Sequence, residues 1–275
     1  MPAPQASAMA MLAKTKFASF NIKVPQNWQT PAGQAGDQYS RAFKPEEKQT
    51  APAIGAPVLF QAASLNKYHT DTQKMLHSKF SEYIDGITDA ICTAWDAWQK
   101  AATMTGLLVV GPVVSIGQII GPPLFPLIMA KAPKSTPMLA KYSNAIAQVI
   151  STAWLTFTAT IKIPGLPLFP AYAALPTPVA PPMPHPPIPL ASLPQMPASI
   201  MANALKAQKI AMHADPQAQY ASELFEAVSY AFEQSYNLWK TTTTLTNLLV
   251  IATGGTPISP LPAAGSATMP PGGLV

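Results

Sequence analysis

A stripe of apolar side chains that recurs three times with one spacing constrains this chain more than any other feature. It first runs Phe80, Ile84, Ile87, Ile91, Ala94, Trp98, in steps of 4, 3, 4, 3 and 4 residues. The same steps give Leu139, Ser143, Ile146, Ile150, Ala153, Phe157, and then Ala221, Phe225, Val228, Phe232, Ser235, Trp239. A period near 3.5 residues is the seam of a coiled coil, where side chains interlock with holes on neighbouring helices. Each stripe places a small residue one step before a terminal aromatic, so the three read as copies of one unit.

Local identities support duplication. A shift of 141 residues aligns Ser81, Glu82, Ala90, Trp98, Thr103, Thr105, Leu107, Leu108 and Val109 with Ser222, Glu223, Ala231, Trp239, Thr244, Thr246, Leu248, Leu249 and Val250, without a gap. In the middle copy Ala153, Trp154 and Phe157 correspond to Ala94, Trp95 and Trp98. Downstream, Gly121-Pro-Pro-Leu-Phe-Pro126 is echoed by Gly165-Leu-Pro-Leu-Phe-Pro170. The unit is a helix, an aromatic end, an apolar segment and a proline-rich strap.

The connections are too long for a simple up-and-down bundle, whose neighbours need only about 2 to 8 linking residues. Proline-rich chain favours extended geometry at about 3.1 Å per residue, so roughly ten residues return the chain along a 30 Å helix. The expectation is an all-α core: three tandem helix-plus-strap repeats, parallel, forming a pseudo-threefold three-helix bundle with much irregular structure. The repeats cover about 67–133, 134–197 and 198–275. An up-and-down bundle with decorated loops is the competing arrangement. Residues 1–66 hold Phe17, Phe20, Trp28, Phe43 and Phe60 without a lasting period and read as an extended N-terminal arm.

From these stripes come the expected structural residues. Trp98, Phe157 and Trp239 should form an aromatic layer. Phe80, Ile84, Ile87, Ile91, Ile146, Ile150, Phe225, Val228 and Phe232 should form the heptad core, and Leu124, Phe125, Leu168 and Phe169 should anchor the straps.

Composition narrows the function classes. Of 275 residues 32 are proline and only 11% are charged, yet 48% are hydrophobic. Solvated proline-rich tails carry charge and few apolar groups, and enzymes with a regular α/β sheet tolerate few prolines, so both classes fit poorly. The straps should therefore lie covered, by the bundle or by a partner. The net charge is +5, and between Asp96 and Asp215 the only charged residues are lysines. Seven cations so dispersed, with no arginine among them, make a poor nucleic-acid footprint.

No chemistry-bearing motif emerges. Glu82, Asp85 and Asp89 share a helical side but read as a solvated face. His69 and His77 lack a third ligand at a fixed spacing, and His185 and His213 have no partner recognisable in the sequence. The glycines from Gly106 to Gly121 are not followed by Gly-Lys-Ser/Thr, so no phosphate loop is expected. Cys92 has no cysteine partner and sits beside Ile91 as a small buried residue. Residues 101–130 carry no charge and are long enough to cross a bilayer, but Pro112, Pro122, Pro123 and Pro126 break the helix that a span needs. Leu107–Ile120 and its counterpart from Leu248 are β-branched and read as extended segments buried against protein.

The functional expectation is a non-enzymatic structural or adaptor subunit of a large macromolecular assembly. A place on or near a symmetry axis of a virion tail or contractile injection machine suits it, as spike, baseplate, tip or plug. Its partners would be other protein subunits, with no nucleic acid, small-molecule substrate, cofactor or metal. Membrane contact ranks behind protein partners, and the alternative is a secreted membrane-active protein that inserts its uncharged apolar segments. The first twenty residues show no basic region ahead of an apolar run, so the expectation is no signal peptide, cytoplasmic synthesis, and incorporation in a particle or export with it.

Overall fold

The computed structural model describes residues 3–22, 57–110, 113–115, 118–160, 166–167, 183–184, 188–189, 198–213, 220–246, 249–253 and 264–275. They divide into a larger unit, Met1–Phe17 with Ile84–Val275, and a smaller one, Ala18–Tyr83. The fold is mostly helical. The helices are α1 (Ala6–Ala18), α2 (Pro57–Ala101), α3 (Leu124–Lys131), α4 (Pro137–Thr160), α5 (Ala198–His213) and α6 (Ala221–Thr242).

Apolar side chains on three helices build the core of the larger unit. Ile84, Ile87 and Ile91 on α2, Ile146 and Ile150 on α4, and Phe225, Val228 and Phe232 on α6 are each 1% exposed or less. Local signals start and align these helices. Thr136 caps α4 by accepting the Leu139 N–H at 3.2 Å, and Pro137 follows at the first helical position, where a missing N–H costs nothing.

Contacts fix the relative directions. On α4 and α6, Tyr142 meets Phe225 and Phe157 meets Tyr236, so the two helices run the same way. Helix α1 opposes both α2 and α6. Lys14 pairs with Asp85 at 2.6 Å and Met9 Sδ lies 3.8 Å from Cys92 Sγ, while Lys16 pairs with Glu226 at 3.4 Å and Ala8 shares a cavity wall with Ser235. Helices α2 and α6 therefore share a direction as well.

The return from α2 to α4 differs from the extended strap expected from its prolines. Gly121 lies so close to Trp98 that a Cβ there would overlap the indole. The chain then turns into α3, where the Phe125 N–H donates to Ser151 Oγ at 3.1 Å. Pro133 finally reaches Gly86, where a Cβ would meet its ring, and its carbonyl accepts from Ser143 Oγ at 2.7 Å. The chain has then descended α2 by twelve residues, about 18 Å. The return is helical because Pro126 falls in the first turn, where no intrahelical donor is required, while Leu124 and Ile128 bury one apolar stripe.

A second difference concerns the N-terminus. Within the stretch read as an extended arm, α1 is a helix and α2 already begins at Pro57. Alanine-rich composition favours α1, and Met9, Ala13 and Phe17, four residues apart, form its buried side. Residues 23–56 of that stretch lie outside the described residues.

The apolar segments pair as strands beside the helices. Strands β1 (Thr103–Val110), β2 (Val113–Ser115), β3 (Gln118–Ile120), β4 (Leu166–Pro167), β5 (Met183–Pro184), β8 (Leu249–Thr253) and β9 (Ala264–Met269) make an antiparallel sheet of order β4-β2-β1-β9-β8-β5, with β3 also on β1. Strands β6 (Ile188–Pro189) and β7 (Thr244–Leu245) pair separately. Gly106, at φ +73°, sits in a register shift between Met104 and Leu107 of β1. This is the left-handed position that a bulge of this kind asks of glycine. The sheet was not expected as a whole, because β4 and β5 are two-residue pairings inside proline-rich sequence.

In the smaller unit, Gln73 Nε2 donates to the Ile22 carbonyl at 3.3 Å, and Glu82 accepts from Ser78 and Lys79 one turn earlier. Met75 stands 61% exposed.

Candidate functional site

The most elaborate feature of the larger unit is a cluster of rings near the C-terminal ends of α2, α4 and α6. Trp95 is its centre. It is fully buried, with ring centroids 4.7 Å from Trp154, 5.2 Å from Phe232 and 5.4 Å from Trp239. Trp98 stands perpendicular to Trp154 at 4.8 Å, an edge-to-face geometry that brings the positive ring edge to the negative face.

Of the three residues expected to form an aromatic layer, Trp98 and Trp239 meet at 6.5 Å. Phe157 is half-buried and packs on Tyr236 at 5.7 Å, and the ring between the two tryptophans is Trp154. Among the expected heptad positions, Phe80 belongs to the smaller unit and is half-buried. Of the strap anchors, Leu124 is buried and Phe125 half-buried, whereas Leu168 and Phe169 lie outside the described residues.

Trp95, Trp154 and Tyr236 were missed, although a signal for them exists. Each directly follows the small residue of its stripe: Ala94-Trp95, Ala153-Trp154, Ser235-Tyr236. The seam is one residue wider than a 3.5-residue period marks, because a small side chain lets its neighbour turn inward.

A polar link joins this cluster to the segment that follows β9. The Trp239 indole N–H donates to Gln99 Oε1 at 2.9 Å, and Gln99 Nε2 donates to the Leu274 carbonyl at 3.1 Å. Both side chains are buried, so the two bonds satisfy groups that would otherwise be costly to desolvate. The indole N–H groups of Trp95 and Trp154 are buried without a hydrogen-bond acceptor. Burial pushes the Tyr236 phenol well above its ordinary range.

Burial, with a smaller contribution from Asp89, pushes the Cys92 thiol up to about 12, which holds it protonated and unreactive near neutrality. Asp89 and Glu82 are exposed, and Asp85 is held by Lys14. No group of three metal-ligating side chains occurs among the described residues. A cavity of about 360 Å³ opens between α1 and α6 over Ala8, Leu12, Ser235 and Trp239. Its walls carry no charge and suit an apolar group. No helix among the described residues is long and apolar enough to cross a membrane. No family model, no curated protein and no solved structure matches this chain.

Proposed function

We propose that the chain is a non-enzymatic structural or adaptor subunit of a large protein assembly. In this reading it consists of helix-plus-strap repeats arranged about a pseudo-threefold axis. One observation carries the reading: α2 and α4 each run in the direction of α6, and the chain returns through α3 between the first two instead of turning back directly. A second supports it. Helix α2 ends at Ala101 and β1 starts at Thr103, while α6 ends at Thr242 and β7 starts at Thr244, the same junction after the 141-residue shift found in the sequence. A single chain that imitates a trimer suits a symmetry axis, such as the tip, plug or baseplate centre of a virion tail or contractile injection machine.

Its proposed partners are other protein subunits, joined after cytoplasmic synthesis. Fractionation of the native source on a density gradient tests this. Recovery in a megadalton particle, with density for the chain on an axis by electron microscopy, is the expected result. Recovery as free chain would overturn it, and flotation with liposomes would favour the membrane-active alternative.

A further inference from the structure

The middle of the sheet is filled by the last strand of the chain. Strand β9 pairs on one side with β1, through Met104–Met269, Leu107–Ala267, Leu108–Ser266 and Val109–Gly265. On its other side five consecutive pairs with β8 run from Leu249–Thr268 to Thr253–Ala264. Strands β1 and β8 thus run in the same direction and leave a slot one strand wide. The segment after β9 is also tied down: the Gly272 N–H donates to the Lys100 carbonyl at 3.0 Å, the Thr246 N–H to Gly273 at 2.6 Å, and Thr244 exchanges both backbone bonds with Val275. Met269 and Leu274 are buried.

What enters the slot is chemically plain. Ala264-Gly-Ser-Ala-Thr268 has no large side chain, so recognition is by main-chain hydrogen bonds at both edges and by anchoring of the seven residues that follow. The link from β8 to β9 does little to decide which chain supplies the strand. It is ten residues long, Gly-Gly-Thr-Pro-Ile-Ser-Pro-Leu-Pro-Ala, against two to five for a hairpin loop. Ten extended residues reach about 30 Å, far enough to place the strand in a neighbour.

We propose that the slot between β1 and β8 is a self-association surface: it accepts residues 264–275 of a second copy of this chain in the register its own segment adopts. Every one of these bonds is retained in the exchanged form, which is why exchange of an identical element is a low-cost route to a dimer. The proposal is independent of the assembly reading, since a chain that never exchanges strands can still bind other subunits.

The test uses full-length chains in two populations with different tags. One carries Ile251→Cys and the other Ser266→Cys, residues paired across β8 and β9. The two are unfolded together, refolded and oxidised, with buried Cys92 left in place and wild-type chains giving its background. The expected result is a disulfide-joined product containing both tags, and a dimer mass for the wild type by light scattering. A third chain carrying both cysteines controls for the register. Oxidation only within that chain, with a wild-type monomer at all concentrations, would overturn the proposal, as would no disulfide in any mixture. Replacing residues 254–263 by Asn-Gly closes a two-residue hairpin on Thr253–Ala264 and should abolish the two-tag product. Its undiminished persistence would also overturn the proposal.

Discussion

The ring cluster lies near the C-terminal end of α2, and β1 of the sheet follows directly from that end, yet the two regions are held together by different means. Around Trp95 stability comes from large side chains packed on all sides, with two indole N–H groups left without acceptors. Along β9 it comes from backbone pairing of residues with almost no side chain. Where side-chain volume does the holding, one substitution leaves a cavity; where the main chain does it, most substitutions are tolerated and displacement of the segment is the vulnerable step.

Trp95→Ala is the strongest way to break this contrast. Truncating a fully buried ring should cost about 3 to 5 kcal/mol in chemical denaturation, whereas Ala267→Ser in β9 should cost far less. A loss below about 1 kcal/mol would show that the cluster is not the core. Gly121→Val tests the close approach behind it. A side chain in the space of the Trp98 indole should cost about 1 to 3 kcal/mol by overpacking, with a shifted tryptophan emission as the local signature.

Gln99 joins the two regions, so Gln99→Ala should sharpen the comparison. The expected loss is about 1 to 3 kcal/mol, from an unpaired Trp239 N–H and an unpaired Leu274 carbonyl. Amide exchange should accelerate in 270–275 more than in α4. Equal acceleration everywhere would mean that Gln99 does not couple the C-terminal segment to the cluster.

Alkaline pH probes the helical side. Because the folded Cys92 thiol titrates at about 12 and the unfolded one near 9, its stabilising effect is complete below pH 9 and is lost as pH rises toward 12. At pH 10 the loss is about 1 kcal/mol, and Cys92→Ala should flatten that part of the profile. Tyr236 shifts in the same direction and adds to the slope. The smallest effect is a gain. Ser229 is buried on α6 with its hydroxyl unpaired, so Ser229→Ala should raise stability by up to about 1 kcal/mol in the same denaturation assay.

Sequence periodicity alone pointed to an apolar side on each of these helices, because such a side has one way to leave water: Ile84, Ile87, Ile91, Ile146, Ile150, Phe225, Val228 and Phe232 are buried. It also marked Leu107–Ile120 as extended, since β-branched runs near glycine and proline resist a helix. Tertiary structure decided the rest. Trp154 took the place expected of Phe157 because inward-facing width depends on the small residue before it and on how closely the neighbouring helix approaches. The strap 124–131 became a helix because Pro126 fell in a first turn and Leu124 and Ile128 found a groove to fill. Strand β9 could not be read at all, because Ala-Gly-Ser-Ala-Thr carries no pattern of its own; only the slot between β1 and β8, built by residues more than a hundred positions apart, makes it a strand.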